Sequence, residues 1–177
     1  MRVKRFVTWA GHEIAHQIAL LAFTVSNINK QKQFGKEHDA RHAIRHLVKQ
    51  PIKMPSSSER TTWQETRLFS LWQNLNNLLL QAKWLEEQEA MLDYFAQILD
   101  MSKPELASLT TKKYDPNAPE LNGRKLYWCL TDAMNVCQAT ANVLKRYGRI
   151  KESEEFNKIV WYFEEELGNG TNEVASS

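Results

Sequence analysis

The chain has 177 residues, of which 42% are hydrophobic and 25% charged, and its net charge is +2. That length supports one domain with a substantial core, and that balance sets aside collagen-like, low-complexity and highly charged disordered chains. Two cysteines make no disulfide scaffold, and no apolar run reaches the roughly 18 residues of a membrane span, so a reduced, cytoplasmic, non-membrane protein is expected.

Charge is spread unevenly. Residues 1–60 hold 11 Lys/Arg against 4 Asp/Glu, a balance of +7, while residues 61–177 hold 12 against 17, a balance of −5. A basic first third points to an anionic partner, either nucleic acid or an acidic protein surface. All five histidines, His12, His16, His38, His42 and His46, lie in the same third.

In chain order, the first element is a helix from about Thr8 to Asn29. Ile14, Ile18, Leu21, Val25 and Ile28 share one face, and Ala15, Ala19, Ala22 and Phe23 cover much of the other, as in a buried central helix. A second helix, from about Lys36 to Gln50, is stopped by Pro51. Its apolar stripe is Ala40, Ala43, Ile44, Leu47 and Val48. The polar stretch 51–61 reads as an exposed, mobile loop.

Thr62-Trp63-Gln64-Glu65 reads as a capping box opening the next helix. Leu71, Leu78, Leu85, Leu92 and Leu99 then recur every seven residues with no glycine or proline before Pro104. The spacing predicts one helix over about 63–100, roughly 57 Å long, with a bend or break between Trp84 and Glu89 as the alternative. Its flanking positions hold Trp72, Asn74, Leu79 and Phe95 rather than opposed charges. Packing within the chain is therefore favoured, with a homo-oligomer through this helix as the alternative.

Ser102-Lys103-Pro104-Glu105 starts a short helix, and a second loop covers about 112–122. A helix from about Gly123 to Tyr147 ends at Gly148, and a last one from about Lys151 to Leu167 is closed by Gly168. Cys129 and Cys137 lie about 12 Å apart along their helix, too far for a mutual disulfide. The expected fold is all-α: one domain over 1–167, a bundle of about five main helices around the long one, and a disordered tail over 168–177.

The histidines carry the chemical motifs. His12-Glu13-Ile14-Ala15-His16 resembles the H-E-x-x-H pattern of zinc metallopeptidases, which implies two imidazole ligands and a glutamate acting on bound water. His12 or His16, His38 with Asp39, and Asp132 resemble the ligand order of HD-type metal phosphohydrolases, which implies a divalent ion such as zinc or manganese. Arg41 and His46 fit an R-x4-H pattern resembling that of HEPN ribonucleases.

Helix geometry separates these readings. At 100° per residue, His42, Lys49 and His46 fall within about 80° of His38, Arg41 and Arg45 lie on the other flank, and the apolar stripe centres near about 200°. A stripe facing away from the core suits phosphate contacts better than buried metal ligation. The expected anion-binding set is His38, Arg41, His42, Arg45, His46, Lys49 and Lys53, with no catalytic residue and no cofactor. The metal-dependent hydrolase, using His12, His16, His38, Asp39 and Asp132, is the alternative. The tryptophans, Trp128 included, read mainly as packing residues.

Overall fold

The computed structural model describes residues 39–47 and 62–174, together with Gln17, Ile18 and Leu21; for 62–65 and 169–174 the backbone alone is described. Residues 1–38 and 39–177 form separate compact units. In the first, Gln17, Ile18 and Leu21 are helical. Ile18 and Leu21 are 61% and 65% exposed, whereas burial was expected. The packing that would account for this lies outside the described residues, as do the loop 51–61 and the side chains of the capping box at 62–65.

The second unit is all-α. Its helices are α1 (Ala40–Arg45), α2 (Thr62–Gln81), α3 (Leu85–Leu99), α4 (Lys103–Leu109), α5 (Gly123–Arg146) and α6 (Ile150–Val174). Among the described residues there is no strand, and no helix is long and apolar enough to cross a membrane.

The single helix expected over about 63–100 is two helices, broken at 82–84, at the edge of the stretch where a bend or break is the alternative. α2 ends in a Schellman turn: Trp84 N–H donates to the Leu79 carbonyl at 2.9 Å and Lys83 N–H to the Leu80 carbonyl at 3.1 Å. Lys83 itself takes the left-handed conformation, φ 56°. Trp84 and Leu79, the pair that flanks such a turn, are both buried. The chain reverses there, because Trp72 meets Phe95 (5.4 Å between rings) and Gln88 donates to Asn76 at 2.9 Å. Rising numbers on α2 face falling numbers on α3, so the pair is an antiparallel hairpin. Leu85, placed on the leucine seam by its spacing, is 38% exposed because the reversal carries it outward.

Leu71, Leu75, Leu92 and Leu99 are buried inside the same chain. α3 ends in a second Schellman turn, with Asp100 at φ 56° and Met101 N–H on the Ala96 carbonyl. α4 is capped by Ser102, whose hydroxyl accepts from Glu105 N–H at 3.2 Å, as its sequence predicts. The chain after α4 is tied to α2: Trp72 Nε1 donates to Thr110 Oγ1 at 2.9 Å, and Asn76 Nδ2 to the Lys112 carbonyl at 3.1 Å.

α5 and α6 form the most extensive helix pair. Gly148, φ 71°, makes the turn between them, with Arg149 N–H on the Leu144 carbonyl at 2.9 Å. The pair is antiparallel, since Ser153 Oγ reaches the Ala141 carbonyl and Gln138 reaches Asn157. α6 does not stop at Gly168 but runs to Val174, so most of the tail expected to be disordered is helical. One helical glycine costs about 1 kcal/mol, and no proline follows to enforce an end. The core lies where α2, α3 and α6 meet, around Trp72, Phe95, Phe156 and Phe163, all fully buried. Both cysteines of α5 are free and buried.

Candidate functional site

The predicted anion-binding stripe centres on α1, and that helix is shorter than expected. Asp39 is its N-cap: the carboxylate accepts His42 N–H at 2.6 Å. The helix ends at Arg45, where His46 turns the chain away from the axis. Of the stripe projected over fifteen residues, the described part, 39–47, is helical over the six of α1. Of the expected inner face, Ala40, Ala43, Ile44 and Leu47 are buried, and Val48 lies outside the described residues.

The outer face differs from expectation at the two arginines. Arg41 and Arg45 reach across to α3 and converge on Glu87, which is fully buried. Arg41 Nε lies 2.5 Å from Glu87 Oε1 and its Nη2 lies 3.3 Å from Oε2, a two-pronged pairing. Arg45 Nη1 lies 3.1 Å from the same Oε1 and 3.6 Å from Glu86 Oε2. The Arg41 guanidinium also sits 5.1 Å from the centroid of the Trp84 ring, and Trp84 stacks on Phe163 of α6.

A buried carboxylate needs cationic hydrogen-bond donors, and the two arginines supply them from a half-exposed position, 42% and 36% exposed. The hydrogen bond to Glu87 raises the Arg41 pKa further, so the guanidinium stays charged. Much of the positive field that this pair would offer a phosphate is thus spent on Glu87 and Glu86.

α6 holds α1 at its other end. Ala40 N–H donates to Glu166 Oε1 at 2.7 Å, a carboxylate on an otherwise orphaned helix donor. Burial pushes the Glu166 carboxyl above the usual range, opposed by the Ala40 hydrogen bond. α1 is therefore clamped by α3 and α6 together, with Glu87, Trp84 and Glu166 as parts that sequence reasoning did not single out. The signal for Glu87 was its register: Trp84, Glu87, Met91, Tyr94 and Ile98 fall three or four apart on one buried stripe.

His42 is half-buried and His46 exposed, with ring centroids 4.2 Å apart and planes inclined by 36°. His12, His16, His38, Lys49 and Lys53 lie outside the described residues. Asp39 is occupied as a cap, and Asp132 is exposed on α5. Among the described residues, no three His, Cys, Asp or Glu side chains come together to hold a metal.

A cavity of about 170 Å³ lies between α2, α3 and the 110–114 segment. Its amides, Asn76 and Gln88, hydrogen-bond to each other across the wall. Trp128, expected to pack, is 58% exposed on α5. The chain matches no protein-family model, no curated protein and no solved structure.

Proposed function

We propose that this chain is a non-catalytic helical binding protein whose basic N-terminal third engages an anionic partner, nucleic acid or an acidic protein surface. The observation that carries the reading is the concentration of charge in residues 1–60, 11 Lys/Arg against 4 Asp/Glu. The clamp on α1 refines which residues serve it. Arg41 and Arg45 hold the helix to α3 through Glu87, which leaves His46, Lys49 and Lys53 as the cations of this stretch proposed to meet the partner.

The test is affinity for a polyanion, heparin or an oligonucleotide, over a range of salt concentrations. Replacing His46, Lys49 and Lys53 with alanine spares the clamp on Glu87. It is expected to weaken binding uniformly and to flatten the salt dependence by about 0.7–0.9 for each phosphate no longer neutralised. Unchanged affinity and slope in that variant would remove the site from this region.

A further inference from the structure

Tryptophan is among the most buried residue types on average, yet Trp128 of α5 is 58% exposed, with the Tyr127 ring edge-on to it at 5.5 Å. Arg124 lies one turn before it on the same side of the helix, and Lys125 beside that; both are exposed. Lys145 and Arg146, also exposed, close the far end of α5. Asp132 is the only acid in the helix. Asn135 and Asn142, two exposed amides, lie between the charged ends.

The acidic balance of residues 61–177 conceals this face. α6 holds Glu152, Glu154, Glu155, Glu164, Glu165, Glu166 and Glu173 against Lys151 and Lys158, while α5 is basic. The charged residues of α5 span about 33 Å from end to end.

We propose that the exposed face of α5 binds single-stranded nucleic acid, with Trp128 stacking on a base and Arg124 and Lys125, one turn before it, contacting the adjoining phosphates. Three observations favour this occupant. The face is cationic, as a phosphate backbone requires. The neighbours of the ring one turn away on its own face, Arg124 and Asp132, are charged and exposed, so it is not set in the contiguous apolar patch that the core of a protein–protein interface supplies. An exposed indole with cations one turn away is an arrangement by which single strands are held without sequence readout, at site sizes of about 4–16 nucleotides. None of these residues belongs to the N-terminal third, and the proposal stands without it.

The experiment is anisotropy of a fluorescein-labelled oligothymidylate of about 12 nucleotides, titrated with the full chain at several salt concentrations. Trp128→Leu keeps an apolar side chain and removes the stacking face, and is expected to weaken binding about 5- to 100-fold. Trp128→Phe keeps a ring and should recover most of that loss. Arg124→Ala with Lys125→Ala should reduce the salt slope by about 1.4, at roughly 0.7 per single-strand phosphate.

The proposal is overturned if the chain does not bind the oligonucleotide, if Trp128→Leu binds as tightly as the parent, or if a duplex of equal length binds as well as the single strand. It is also overturned if light scattering shows a dimer that Trp128→Leu dissociates, which would assign the ring to self-association. An effect of the His46, Lys49 and Lys53 replacements alone leaves the N-terminal site standing and removes this one. An effect of the α5 replacements alone does the reverse.

Discussion

Glu87 decides how the charges around α1 are to be weighed. A fully buried carboxylate is costly unless paired, whereas the arginines that pair with it remain 42% and 36% exposed and are solvated with or without a partner. The two sides of the pairing are therefore unequal. Replacing Arg41 and Arg45 together with alanine strands the carboxylate in the core, and should destabilise the fold by about 3–5 kcal/mol in urea unfolding. Glu87→Gln leaves two surface arginines and an amide that still accepts a hydrogen bond, and should cost only about 1 kcal/mol. Adding Glu87→Met to the arginine-free variant should restore most of its stability, because the stranded charge is gone and the volume stays filled. If the methionine gives no recovery, burial of Glu87 is not what makes the arginines necessary. The arginines are thus better described as the anchor of α1 than as free phosphate contacts.

At the level of elements, chain reversal is visible in the sequence only where the left-handed residue is glycine. Three helices end in the same Schellman geometry, at Lys83, Asp100 and Gly148. Gly148 marks its turn openly, and the end of α5 is read correctly. Lys83 and Asp100 do not, so a leucine repeat that runs unbroken through 71–99 disguises a hairpin as one long helix. The start of α4 was legible because a serine cap and a first-turn proline are local signals. The buried stripe of α1 was legible for the same reason. The clamp was not, because Arg41, Glu87 and Glu166 are far apart in the chain and meet only once α1, α3 and α6 have packed. Trp128 was misread because periodicity places it on a helix without saying which side another helix will cover.

Lys83 supplies the test at this scale. A non-glycine residue in the left-handed region carries roughly 1–2 kcal/mol of strain, and glycine there gives back about 0.4–1 kcal/mol through the freer unfolded chain. Lys83→Gly should therefore raise stability by about 0.5–1 kcal/mol, a melting-point gain of about 2 °C for a chain of this size. A loss of stability would mean that the lysine side chain contributes more than its backbone conformation costs.

For the whole molecule, the α5–α6 pair is both the most extensive helix packing and the place where opposite charges are segregated, basic on α5 and acidic on α6. Cys137 lies midway along α5 and is completely buried, and burial raises its thiol pKa to about 12. The thiolate is the reactive form, so in the folded state this sulfur is both inaccessible and almost wholly protonated at neutral pH. Cys129 is nearer the start of the helix, hydrogen-bonded through Sγ to the Leu78 carbonyl at 3.3 Å, with its pKa raised by burial and then by Asp132. Cys137 is fully buried at the middle of α5, so exposing it requires the helix to leave the core, whereas loosening the first turns of α5 exposes Cys129 alone. Under native conditions a thiol reagent should therefore modify Cys129 first. Modification of Cys137 should rise with urea along the slope of global unfolding, because the helix that carries it takes part in the most extensive packing among the described helices. The check is peptide mapping by mass spectrometry after timed labelling. Cys137 reacting as fast as an unfolded control without denaturant would mean that α5 leaves the core independently of the rest, and that the bundle is held together elsewhere.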